Sequence, residues 1–174
     1  MQQLRSKPTN IEKTFEKEAL IVSRTDSKGL LEYCNRLFLN ISGYTESELL
    51  GKPHSIIRHP DMPKAVFKLL WEYIQQKKEV FAYVKNLCKD GEYYWVLAHV
   101  TPTFNDRNEI IGYHSNRRSP NNSSIEKISA IYADLLEIEN SAQTSTEGLK
   151  KSYSTLMNVT STKGEDYNEF ILKI

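Results

Sequence analysis

A chain of 174 residues that is 39% hydrophobic and carries ten tyrosines has the apolar material for one core of roughly a hundred residues plus an appendage, which excludes a disordered protein. Its 23 basic and 22 acidic residues give a net charge of +1 and are mixed along the chain, so there is no basic stripe for a phosphate backbone and nucleic acid is not an expected partner. No signal-peptide pattern and no run near the roughly twenty apolar residues of a membrane span occurs, and a cytoplasmic protein without a direct membrane span is expected.

Residues 1–18 are expected to form an N-terminal helical cap. Ala19–Ser23 and Leu30–Cys34 flank the polar turn Asp26-Ser-Lys-Gly29 and predict a β-hairpin. Asn35 is placed to start a short helix whose apolar face is Leu37, Phe38 and Ile41, and Gly43 is placed to end it. Thr45-Glu-Ser-Glu48 has the capping-box pattern of a further helical turn, closed by Leu49, Leu50 and Gly51. The run Gly51-Lys-Pro-His-Ser-Ile-Ile-Arg58-His59-Pro60-Asp61-Met-Pro63 concentrates ionisable groups between prolines that restrict the backbone, as a loop that presents function from a fixed scaffold does.

Asp61 is expected to cap a long helix with Pro63 in its first turn and Val66, Phe67, Leu70, Trp71 and Ile74 along one buried face. Three strands follow, Val80–Leu87, Tyr93–Phe104 and Ile110–Asn116, separated by Lys89-Asp90-Gly91 and by Asn105-Asp106-Arg107-Asn108. Strands and helices are thus segregated, and the fold class is α+β: a five-stranded antiparallel sheet with helices on one face. Beyond Pro120 three apolar patterns at helical spacing, Ile128 to Ile138, Leu149 to Leu156 and Tyr167 to Ile174, predict a C-terminal helical extension over 119–174. Its faces need either the first domain or another protein to cover them. Cys34 and Cys88 are too few for a disulfide framework and lack close pairing, and are expected as small buried side chains.

The segments Asn35 to Thr45, Gly51 to Pro63, Val84-Lys-Asn86, Lys89-Asp-Gly91 and Tyr94-Trp-Val96, in this order, resemble a PAS domain of the flavin-binding bacterial aerotaxis and energy-taxis receptor type, over about residues 19–118. The Asn-to-Gly-Tyr and Lys-Asp-Gly patterns are general to PAS domains, whereas Arg-His-Pro-Asp-Met-Pro belongs to the flavin-binding branch. The resemblance implies that Asn35, Arg58, His59, Asp61, Trp71, Asn86 and Trp95 line or support an FAD pocket. Where that branch carries a tryptophan this chain has Val80. A cysteine next to flavin is used by light-sensing PAS relatives, but Cys34 stands at the wrong place for that chemistry.

The residue types suit such a site. An apolar slot framed by Trp71 and the sheet accepts a flavin ring, Asn35 and Asn86 offer directed hydrogen bonds, and Arg58 is a counter-charge for a pyrophosphate. The four histidines, His54, His59, His99 and His114, make no metal-ligand pattern, although one axial histidine could hold haem, and a PAS interaction module without ligand is the remaining alternative. No phosphate-binding glycine loop, nucleophile elbow or paired carboxylates occur, so no enzyme is expected. By the same resemblance the chain is a redox or oxygen sensor akin to the soluble half of split energy-taxis systems. Its expected partner is a membrane-bound chemoreceptor or that receptor's signalling domain, with homodimerisation open.

Overall fold

The computed structural model describes residues 6–161 and 166–174. β1 (Ile21–Asp26) and β2 (Leu31–Cys34) form the expected hairpin, and β3 (Val80–Leu87), β4 (Tyr93–Phe104) and β5 (Ile110–Arg118) complete one antiparallel sheet in the order β2-β1-β5-β4-β3. The hairpin turn is built by Asp26, whose carboxylate accepts from Lys28 N and Leu30 N, both at 2.8 Å. Gly29 follows with φ +82°, and a Cβ there would meet the Trp71 ring at 3.0 Å. Only glycine lets the turn lie this close to the indole.

α1 (Arg36–Ser42) starts at Asn35, whose Oδ1 accepts from Phe38 N at 3.1 Å, and stops at Gly43. α2 (Glu46–Leu49) opens with the Glu48 carboxylate accepting from Thr45 N at 2.9 Å. A single 3-10 turn, His54–Ile57, leads to α3 (Lys64–Gln75). Here the expected cap is corrected. Asp61 makes no capping bond to α3. The first free N–H groups of α3, Lys64 N and Ala65 N, donate instead to Glu139 at 3.0 and 2.9 Å, a carboxylate 75 and 74 residues away that satisfies orphan donors and complements the positive helix end.

Glu139 lies on α4 (Asn122–Ser141), which with α5 (Ser145–Ser161) and α6 (Tyr167–Lys173) forms the C-terminal extension. These helices cover the first domain themselves. Ile128, Tyr132 and Leu135 of α4 are buried, the Tyr132 hydroxyl donates to Tyr83 O at 2.8 Å, and its ring stacks on Trp95 at 6.4 Å. β3 is an edge strand, a liability in open sheets, and α6 closes it: Asn168 Oδ1 accepts from Phe81 N at 2.9 Å and Asn168 Nδ2 donates to Glu79 O at 3.1 Å.

The expected N-terminal helical cap is also corrected: residues 6–18 form no helix but an irregular arm with one bridge at Glu12 and a turn at Lys17 and Glu18, residues 1–5 lying outside the described ones. Glu12 bridges Tyr93, and Tyr93 N donates to Ile11 O at 2.9 Å. Polar residues with few helix-face repeats leave this arm to take its hydrogen bonds from the start of β4.

Candidate functional site

Period-two alternation decides which strand residues can share a site. The register sets Val84 opposite Val96, Asn86 opposite Tyr94, Ala98 opposite Arg117 and Val100 opposite Ser115, so these side chains share the face turned toward α3. Most are small. Between this face and the aromatic side of α3 (Phe67, Leu70, Trp71) lies a cavity of about 220 Å³, which also borders Ser23, Thr25, Tyr113 and the 3-10 turn. Trp71 meets Tyr113 edge to face at 5.5 Å. Lys28, Pro53 and Ser55 of its lining are exposed, which puts the mouth between the hairpin turn and the 3-10 turn.

The expected site residues divide into three groups. Arg58, Trp71 and Asn86 are brought together on the cavity wall. Arg58 lies half-buried with its guanidinium 3.9 Å from the centre of the Phe67 ring, and it donates to Met62 O at 3.3 Å. Its backbone bridges Asn86, which aims both side chains at one region. The buried Asn86 Nδ2 has no hydrogen-bond partner among the described residues.

His59 and Asp61 lie behind the wall and hold the loop that carries Arg58. His59 is buried, its Nδ1 accepts from Asp61 N at 3.1 Å, and its ring meets Tyr93 edge to face. Burial first, then the Lys85 cation, pushes its imidazole down to about 4, against the smaller opposing effect of Asp61. The ring is neutral at pH 7. Asp61, mostly exposed, pairs with Lys85 Nζ at 2.7 Å, which ties the loop to β3.

Asn35 and Trp95 stand away from the cavity. Besides capping α1, Asn35 accepts from Val22 N at 3.1 Å and donates to Leu20 O at 2.8 Å, so both ends of its amide are engaged in joining α1 to the sheet. Trp95 sits opposite Lys85, on the sheet face away from the cavity, under Tyr132. Val80 is fully buried opposite Val100 at the cavity's end of β3 and β4.

Two site residues escaped sequence reading, Arg117 and His54. The predicted last strand stops at Asn116, two residues short of the observed end at Arg118, yet alternation from Tyr113 through Ser115 points to Arg117. Arg117 is 2% exposed; its Nε donates to Ser115 Oγ at 3.0 Å, and Nη2 donates to the Ser23 hydroxyl and to His54 Nε2, the latter at 2.9 Å. Burial first and Arg117 second push His54 down to about 3, so its neutral ring can accept. Nη1 of Arg117 has no hydrogen-bond partner among the described residues.

Among the described residues His54 alone of the four histidines borders the cavity, and no cluster of histidine, cysteine or carboxylate side chains is placed to hold a metal. His99 pairs with Glu79 at 2.7 Å and stacks on Phe81. Both cysteines are free and buried, as expected; burial pushes the Cys34 thiol up to about 11 and the Cys88 thiol up to about 12. Neither borders the cavity. No helix among the described residues is long and apolar enough to cross a membrane.

Residues 31–116 match the family described as PAS fold. Over 118 residues the chain is 36% identical to the aerotaxis receptor of Escherichia coli (strain K12), a match covering 68% of this chain and 23% of that receptor. The blue-light photoreceptor Aureochrome1 LOV in its light state superposes with a TM-score of 0.56 at 18% identity, covering 68% of this chain and 91% of the other. A light-oxygen-voltage domain studied with a flavin analogue superposes with the same TM-score at 15% identity, covering 66% and 86%.

Proposed function

We propose, from the premise that residues 31–116 are a PAS domain, that this chain is a flavin-binding sensor. FAD is its cofactor, and it reports redox or oxygen status to a membrane-bound chemoreceptor. One observation carries the reading: an apolar cavity faced by Trp71 has on its wall two buried donors, Asn86 Nδ2 and Arg117 Nη1, that find no partner among the described residues. Buried polar groups are ordinarily paired, and an unpaired one is costly unless a ligand supplies the acceptor. A flavin ring is flat, apolar on its faces and rich in acceptors along one edge, so it fits such a wall. The identity to the aerotaxis receptor over the matched region supports the signalling role.

Size limits how FAD would be held. At about 220 Å³ the cavity is below the roughly 300–1,000 Å³ of ordinary ligand clefts, so it suits the ring and not the whole dinucleotide. The remainder leaves by the mouth, where Lys28 is exposed and Arg58 is half-buried, and both offer positive charge to a pyrophosphate. Bound flavin would supply electron uptake and release. The chain's own residues do the rest: Trp71 and Phe67 exclude water, Asn86 and Arg117 orient the ring edge, and His59 with Asp61 keeps Arg58 in place. α3 both lines the cavity and takes its cap from Glu139, so a ligand-dependent shift of α3 reaches the C-terminal helices through one carboxylate.

The test is FAD titration of the purified full-length chain with Trp71→Ala and Asn86→Ala, read by flavin absorbance and by melting temperature. Each variant is expected to weaken FAD by about tenfold or more while keeping the wild-type fold. Trp95→Ala is expected to lower stability and leave the affinity of the remaining folded protein unchanged. Equal loss of folding and binding in the first two would count against the reading. The haem alternative rests on His54, whose Nε2 already accepts from Arg117, and a Soret band lost in His54→Ala would favour it.

A further inference from the structure

The cavity wall carries a charge that no group among the described residues balances. Arg117 makes no ion pair among the described residues; its partners are two serine hydroxyls, the neutral His54 ring and the face of Phe38, 4.8 Å from the guanidinium carbon. The titratable groups whose charge bears on it from neighbouring strands, Tyr94 and Cys34, are both pushed up by burial and stay neutral at pH 7. Among the described residues the cavity's other charged lining residues are Lys28 and Arg58, both cations, and no carboxylate borders it. Isolated buried charge is expensive, and its cost is offset only by a partner of opposite sign or by strong acceptors.

We propose that Arg117 is the positioning residue that receives the electron-rich edge of the flavin ring and keeps the reduced ring anionic; this rests on the flavin reading above. Reduction by two electrons with one proton leaves the ring with one negative charge, and a second proton would neutralise it. A fixed cation at hydrogen-bond range favours the charged form. His54 cannot substitute as the charge, since it stays neutral well below pH 7, but it holds the guanidinium toward the cavity. Arg117 thereby links the cofactor's charge to β5, the strand at the centre of the sheet.

The experiment uses the full chain loaded with FAD and reduced by dithionite without oxygen, its absorbance followed between about pH 6 and pH 8, where free reduced flavin titrates and His54 does not. Wild type is expected to show the anionic reduced spectrum throughout. Arg117→Gln is expected to bind FAD about tenfold more weakly, to take up the second proton within this range and to have a more negative midpoint potential. Arg117→Lys should restore the anionic form. A wild-type reduced spectrum that titrates like free FAD overturns the proposal even if Arg117→Gln fails to fold, as does an Arg117→Gln variant indistinguishable from wild type. Those results leave flavin binding standing, whereas wild-type protein that takes up no FAD removes both.

Discussion

His59 and Asp61 show how one short motif divides its work: Arg58 borders the cavity while the two residues after it fasten the loop. The buried, neutral His59 gives this fastening a pH signature. Its folded value of about 4, and that of His54 at about 3, both lie below the ordinary 6.5, so the unfolded chain binds protons that the folded one does not. Their contribution to stability is complete above pH 6.5 and is lost as pH falls toward 4. Melting temperature should therefore decline below about pH 6.5, before most carboxylates titrate. His59→Asn, whose side-chain oxygen can replace Nδ1 as acceptor for Asp61 N, should flatten that decline, and an unchanged slope would assign it to other groups. Much of this site was legible in the residues. The family resemblance names Arg58, Trp71 and Asn86, which the fold brings to the cavity wall, and alternation from Val96 sets Trp95 on the other face. Arg117 was lost to a strand end misplaced by two residues, and the unpaired state of a buried group shows only in three dimensions.

At the scale of elements, every strand and the helices that follow the hairpin, though not the helical cap expected before it, follow from local pattern, because period-two runs, Asn35, Gly43 and the turn at Asp26 act within a few residues. Long-range partners did not. Nothing near Lys64 reveals that its N–H is satisfied by Glu139, or that Asn168 completes the edge of β3. The C-terminal faces, expected either to dock on the domain or to await a partner, dock. Cutting the chain at Pro120 would strip Tyr132 from Tyr83 and Trp95, remove the acceptor at α3 and expose the β3 edge. Thermal unfolding should show a large loss of stability for the truncation, greater than that of Glu139→Ala, which removes one cap worth about 0.5–2 kcal/mol. A truncated domain with wild-type melting temperature would return these helices to the role of a detachable arm. Glu139→Gln, which keeps acceptor capacity and loses charge, should fall between wild type and alanine.

At the scale of the whole molecule, a sheet with small residues on its inner face, and an arginine there with no counter-charge among the described residues, packs against a helix with an aromatic side, and the extension clamps the end of that helix. The chain matches 23% of the aerotaxis receptor's length, so what the sensor acts upon is proposed on that likeness, whereas the cavity is a property of this chain alone. A ligand that binds only the folded state must stabilise it, and a chromophore declares itself by colour. The most direct measurement is the absorption spectrum of the full-length protein as purified and after incubation with FAD and removal of the excess. The account predicts flavin bands near one equivalent, with a raised melting temperature. Protein that stays colourless with its melting point unmoved, or that shows a Soret band, would contradict it.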